Sequence, residues 1–212
     1  MKKIVLASFI LLFNAHAFSQ KFTVGMVMGA SCTDVQGVDA VDGDVDFHRV
    51  GVVAGGFVNR SFTDRMSVQM ELLYATKGSL QPADSTNDYL YYKLRLDYLE
   101  VPVLFKYKMH LLVNKEELDK LEIEGGISFG VLVNSWQENN NGEIPFDREF
   151  YSTDWQANIG LNYYFTESCS FDVRFAHSIV PIRPHPGGVT KGLDQGEYNT
   201  AFNFTLRLLF GN

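Results

Sequence analysis

Cysteine is almost absent. Cys32 and Cys169 are the only two in 212 residues, too few for a disulfide-built scaffold. Proline is rare, at six, and neither an internal repeat nor a low-complexity linker marks a boundary between domains. Lysine and arginine total 18 against 25 aspartates and glutamates, a net charge of −7. Such an acidic chain is poorly suited to nucleic acid, whose affinity rests on cations meeting phosphate. Past the N-terminus, no apolar run approaches the roughly 20 residues of a transmembrane helix. Helical periodicity is missing too, apart from a possible turn over Asn114 to Lys120.

What is present begins with an export signal. In "MKKIVLASFILLFNAHAFSQ" two lysines precede an apolar core, Ile4 to Phe13, and small residues follow at cleavage-compatible spacing. Ala15-His16-Ala17 and Ala17-Phe18-Ser19 both fit, so residues 1–19 are expected to be a signal peptide, cleaved near Ala17 or Ser19. Residues 20–212 would then form one exported domain, and losing Lys2 and Lys3 takes the net charge from −7 to −9.

Period-2 alternation marks eight strands, at about 21–30, 48–59, 65–78, 90–108, 120–134, 150–165, 168–179 and 197–210. Their connections alternate long and short: loops over 31–47, 79–89, 135–149 and 180–196, against turns at 60–64 and 166–167 and an intermediate stretch at 109–119. Long loops at one end and short turns at the other describe an all-β, eight-stranded, antiparallel up-and-down transmembrane barrel.

The strand faces favour the same reading. "DWQANIGLNYYF" sets Trp155, Ala157, Ile159, Leu161, Tyr163 and Phe165 against Gln156, Asn158, Gly160, Asn162 and Tyr164. The last strand sets Phe202, Phe204, Leu206, Leu208 and Phe210 against Asn203, Thr205 and Arg207. An eight-stranded bore is too narrow for all those large apolar side chains. They are therefore expected to face lipid, while Glu71, Glu100, Lys106, Glu122, Glu124, Asp172, Arg174 and Arg207 meet inside as paired charges. Glycines 51, 55, 56, 125, 126, 130 and 160 would ease crowding and curvature. Tyr74, Tyr91, Tyr92, Tyr98, Tyr107, Trp136, Tyr151, Trp155, Tyr163 and Tyr164 suit aromatic girdles. The competing reading is a soluble lipocalin-like barrel around a small apolar ligand, since alternation is common to all antiparallel sheets.

One stretch breaks the rhythm. In "DYLEVPVLFKYK" a proline, Pro102, sits mid-strand, and the apolar positions switch parity from Tyr92, Leu94, Leu96 and Tyr98 to Leu99, Val101, Val103 and Phe105. That predicts a β-bulge between Tyr98 and Glu100, the irregularity beside which a paired proline is tolerated.

The same stretch resembles the "YLEIPVLLKY" segment of the PorT-like outer-membrane β-barrel proteins of Bacteroidetes, and "LLYATKGS" (72–79) resembles their "LLY-x-x-KG" signature. "GGISFGVLVNS" and "DWQANIGLNYYF…SFDVRFAHSI" follow in the same order. The resemblance implies an eight-stranded outer-membrane barrel; the best-known member assists protein secretion, and most relatives have no assigned activity. The chain departs from the usual aromatic ending by running on from Phe210 through Gly211 and Asn212.

A catalytic set is hard to assemble. Lipid A deacylases use His-x-Ser on one strand face, whereas His177 and Ser178 are adjacent and should point to opposite faces. His48, His110 and His185 have no evident partner in sequence. Asp39, Asp42, Asp44 and Asp46 in "DAVDGDVD" could ligate calcium, but their spacing is not that of an EF-hand and a solvated loop is the default. Cys32, placed in an outer loop, and Cys169, at the opposite end, should lie beyond disulfide reach. No catalytic, cofactor or metal residues are therefore assigned. The expected partners are outer-membrane lipid and, through loops 31–47 and 180–196, envelope or secretion proteins. The expected role is non-enzymatic, with an outer-membrane lipid-modifying enzyme as the further alternative.

Overall fold

The computed structural model describes residues 22–37, 47–85, 87–109, 120–184 and 196–210. The leader, the four aspartates of 39–46, His110, the turn expected over 114–120 except Lys120, most of the expected contact loops 31–47 and 180–196, His185 and Gly211-Asn212 lie outside them. Eleven strands follow in chain order: β1 Phe22–Gln36, β2 Arg49–Ser61, β3 Met66–Lys77, β4 Leu80–Gln81, β5 Tyr92–Lys108, β6 Leu121–Asn139, β7 Gly142–Ile144, β8 Thr153–Thr166, β9 Cys169–Ser178, β10 Arg183–Pro184 and β11 Gly196–Phe210. Eight of them close a ring in the order β5-β3-β2-β1-β11-β9-β8-β6, with β6 returning to β5. Every neighbouring pair is antiparallel, and the first and last strands close on each other from Val24↔Phe210 to Gln36↔Tyr198. This is the eight-stranded antiparallel barrel expected; β4, β7 and β10 are short ribbons at its long-loop end.

Local chemistry sets the turns. Between β2 and β3 the Thr63 hydroxyl accepts from the Met66 amide at 3.0 Å, and the Phe62 amide donates to the Met66 carbonyl at 2.9 Å. The β6–β7 hairpin turns where Asn139 Oδ1 accepts from the Asn141 amide at 2.8 Å and Gly142 takes φ 104°, a left-handed value that favours glycine.

Strands run further than the apolar pattern implies. β1 continues to Gln36 and β6 to Asn139, so Cys32 lies within β1 rather than in an outer loop. Cys32 pairs with Phe202 and Cys169 with Leu208, six residues apart along β11 and hence about 20 Å at the rise of a strand. Both thiols are free.

The predicted bulge is on the neighbouring strand. β5 keeps its even positions inward without a slip, from Leu94 through Leu96, Tyr98, Glu100 and Leu104 to Lys106. The register shifts opposite it: Asp97 pairs with Asn134 and Tyr98 with Leu132, which leaves Val133 of β6 as the extra residue. The parity of apolar residues on β5 inverts because its surroundings invert. Up from Lys108, about ten residues span the apolar band. Above it, Lys93 and Arg95 face water while Leu94, Leu96 and Tyr98 fill the bore. Pro102 is accommodated by a gap in the ladder, since β3–β5 pairing runs from Met70↔Val103 to Leu73↔Glu100 without pairs for Val101 and Pro102.

Two inward glycines let strands coil tightly. A Cβ on Gly126 would stand 2.0 Å from the Val103 carbonyl oxygen, and one on Gly55 2.0 Å from that of Leu72. Gly126→Ala is expected to cost at least about 1–3 kcal/mol, the usual range for overpacking, read as a lower urea midpoint of the lipid-embedded protein. An unchanged midpoint would mean that β5 and β6 part at no cost.

Candidate functional site

The barrel exterior is apolar and its interior ionic. Val50, Val52, Met70, Leu72, Val103, Ile127, Ile159, Leu161, Leu206 and Phe210 are exposed on the outer face. The eight charged residues expected in the lumen are all buried there. Tyr74, Trp155, Tyr163 and Tyr151 are exposed aromatics, as girdle residues should be. Tyr98 is not; it is fully buried in the bore, and Tyr92 and Tyr164 share its inward parity.

Arg174 and Arg207 organise the centre. Arg174 grips Glu71 with two bonds, 2.8 and 3.0 Å, and donates from Nε to Glu124 at 2.7 Å. Arg207 reaches Glu124 at 2.9 Å, Asp172 at 3.1 Å and Glu71 at 3.2 Å. Glu71 is on β3 and Arg174 on β9, diametrically opposed in the ring, so their bonds cross the bore. Beside them Lys106 pairs with Glu122 at 2.9 Å and donates to the side-chain amide oxygen of Gln69 at 3.4 Å.

A second bridge spans the bore nearer the long-loop end. Lys77 pairs with Glu100 and lies 3.9 Å from Asp154. Asp154 accepts from Ser178 at 2.7 Å and from Asn199 at 2.8 Å, and the Asn199 amide also donates to the Tyr98 hydroxyl at 3.2 Å. Lys77 and Asp154 were missed in sequence, though both share parity with lumen residues, Lys77 with Glu71 and Asp154 with Gln156. Above this bridge Val35, Leu94, Leu96, Tyr98 and Ile182 form an apolar stopper backed by Phe146 and Phe150. The Arg183 guanidinium lies 4.2 Å from the Phe150 ring centroid and pairs with Glu197 at 2.7 Å. Two ionic bridges and an apolar stopper in series fill the bore from its middle to the long-loop end.

His177 and Ser178 separate as expected. His177 faces outward, bonded to Thr200 at 2.9 Å and stacked between Phe175 and Tyr198; Ser178 faces inward on Asp154. Among the described residues, no group of three His, Cys, Asp or Glu is placed to hold a metal ion.

The outer rim is tied together. The Tyr91 hydroxyl donates to Glu138 at 2.7 Å, and burial together with that bond pushes it up from the usual phenol range. Its backbone amide donates to Asn140, whose own amide holds the Tyr89 carbonyl at 2.9 Å. The loop after β4 is thereby fastened to the tip of the β6–β7 hairpin. Within it Asp88 and Tyr89 both take left-handed backbone conformations, φ 55° and 58°, and present Tyr89 and Leu90 to solvent.

A closed barrel with an apolar exterior, aromatic edges and a charge-paired bore is a membrane-spanning β-barrel. The chain belongs to the outer membrane protein beta-barrel domain family, which matches residues 17–183, and it is an outer-membrane protein. Solved structures that share its fold include the following two. Ail, the attachment invasion locus protein of Yersinia pestis, is 10% identical with a TM-score of 0.50, over 90% of this chain and 99% of that one. CarO of Acinetobacter baumannii is 7% identical with a TM-score of 0.51, over 89% and 98%. No curated protein matches the chain.

Proposed function

We propose that the protein is a non-enzymatic outer-membrane barrel of the PorT-like kind found in Bacteroidetes, whose outer rim contacts envelope or secretion proteins. The observation that carries this reading is the strained knuckle at Asp88-Tyr89. Left-handed backbone at non-glycine residues costs on the order of 1–3 kcal/mol each and persists where the surroundings over-determine it, often at sites of contact. Here the Asp84 carbonyl accepts from Tyr89, and the Asn87 side chain bonds both Asp84 and Pro82, so that Tyr89 and Leu90 stand outward on a hydrogen-bonded base. The ionic bridges and the stopper support the same reading, because they block passage through the bore. The motifs "LLYATKGS" and "DYLEVPVLFKYK" support the PorT-like assignment.

Tyr89→Gly separates fold from contact. Glycine accepts the left-handed backbone freely, so this variant should be as stable as the parent or up to about 1 kcal/mol more stable, while photo-cross-linking from an amino acid analogue at Leu90 to a discrete envelope protein falls several-fold. Unchanged cross-linking would contradict the rim as the contact surface. Steady ion conductance by the parent in a planar bilayer, or lipid hydrolysis lost in His177→Ala, would overturn the non-enzymatic, closed-bore role.

A further inference from the structure

Lys93 and Arg95 stand on the outer face of β5 just above the lipid band, with side chains 33% and 37% exposed. Trp136 of β6 pairs with Arg95 in register, and the Lys93 ammonium lies 5.1 Å from its ring centroid. Arg95 reaches back to the membrane edge. Its Nη2 donates at 3.3 Å to the hydroxyl of Tyr74, which ends the lipid-facing row of β3 and pairs with Leu99 of β5. Interfacial tyrosines sit at the level of the headgroups, and the long loops of outer-membrane barrels are extracellular. The Arg95 guanidinium therefore stands among the headgroups of the outer leaflet.

Its neighbours hold it in place and leave one edge for a ligand. Asp97, buried, accepts from Arg95 Nε at 2.8 Å on one oxygen and from Asn134 at 3.0 Å on the other. Asp97 thus positions the guanidinium and has both oxygens occupied. Arg95 Nη1 bonds to nothing among the described residues, so the Nη1–Nη2 edge remains to take two oxygens of a phosphate. Glu138 accepts from Tyr91 at 2.7 Å and holds Lys93 only loosely, at 3.5 Å. Three cations, Arg49, Lys93 and Arg95, meet two carboxylates, Asp97 and Glu138. The unmatched cation is Arg49, buried, whose Nε donates to the Lys77 carbonyl at 3.1 Å and which has no carboxylate in ion-pair contact among the described residues. Burial, and after it the like charge of Arg95, push the Arg49 guanidinium below its usual range. An anion seated on Arg95 offsets that repulsion.

We infer that this panel of β3, β5 and β6 is a binding site for the phosphate of an outer-leaflet lipid headgroup. Arg95 takes two phosphate oxygens and Lys93 supplies a second cation from above. The acyl chains descend over Leu72, Leu99 and Val103, exposed apolar residues directly below. A cation set at the upper edge of an apolar face suits an amphiphile, which satisfies both, better than a soluble anion. Headgroup binding here is independent of the rim contact, since it needs only the outer-membrane placement.

The test uses the full chain in phosphatidylcholine nanodiscs doped with lipid A bearing its phosphates, or with the dephosphorylated form. The two tryptophans, isotope-labelled, give one indole NMR signal each: Trp136 reports the panel, and Trp155 of β8 the bilayer as a whole. The Trp136 signal is expected to shift saturably with the phosphorylated lipid and not with the dephosphorylated one. Arg95→Gln weakens this binding at least about ten-fold, as loss of a charge-assisted bond should. Arg95→Lys keeps the charge but not the fork, and loses several-fold. It separates a built site from the general attraction of cations to an anionic surface, and retains a cation for Asp97 should Arg95→Gln fold poorly. Lys108→Gln, at the opposite end of β5, binds like the parent. Equal shifts with both lipids, parental binding by Arg95→Lys, or the same Trp136 shift from inorganic phosphate at on the order of 10 mM, enough to load a millimolar site, would overturn the inference.

Discussion

Glu124→Leu lowers the unfolding free energy of the lipid-embedded barrel by about 3–5 kcal/mol, the usual cost of breaking a buried charge network by removing one partner. Glu124 accepts from both Arg174 and Arg207, and Lys106 lies 3.8 Å away, so a single substitution unbalances three cations. Taking an ion out of water is expensive, and a cation left without its partner in the bore has no compensation. Both arginines keep Glu71, which is why the barrel is weakened rather than abolished. Urea titration in vesicles, followed by tryptophan fluorescence, reads the loss as a shifted midpoint. Glu138→Leu removes a carboxylate of the water-washed outer face, paired with Lys93, and should leave the midpoint nearly unchanged. Equal effects of the two variants would mean that the bore is wet and its charges screened.

Ile127→Arg tests the opposite face. Ile127 is 53% exposed on the protein alone and sits midway along the lipid-spanning part of β6, paired with Val103 and Ala157. Arginine at the bilayer midplane costs about 2–4 kcal/mol, falling to about 0–1 near the interfaces. Val50 is more exposed still, at 71%, yet it lies ten residues above Arg60, where β2 leaves the membrane. Val50→Arg should therefore be nearly silent although its side chain is the more exposed of the two. In a soluble barrel neither outward arginine would matter, so the ratio of the two losses reports lipid directly.

The sequence carried the faces of the strands more plainly than their lengths. Lipid and an ionic bore differ so sharply that parity alone separated Ile159 and Leu161 from Asn158 and Asn162, and the eight charges assigned to the lumen are buried there. The same rule misled where the strands rise out of the membrane. On β5 the outside becomes water and the inside becomes the apolar stopper, so Leu94 and Leu96 exchanged the meaning of their parity with Leu99 and Val103. Tyr98 was read as a girdle residue for that reason, although it lies in the bore as a partner of Asn199. The bulge was expected at the right height but on the wrong strand, because a change of environment imitates a change of phase. Lys77 was hidden at the end of an apolar run, and only the odd positions of β3, Gln69 and Glu71, point to it. The knuckle at Asp88-Tyr89 left no trace in the pattern, since it depends on the Asn87 side chain bonding back to Pro82 and on the Asn140 side chain, which reaches the Tyr89 carbonyl only after folding.

The most direct measurement is heat modifiability in the fractionated envelope. The mature protein is expected in the outer-membrane pellet, migrating faster on a gel unboiled than boiled, because a closed barrel with crossed ionic bridges resists detergent until it is heated. Protein released in the soluble fraction, with identical migration boiled and unboiled, would contradict a lipid-embedded barrel.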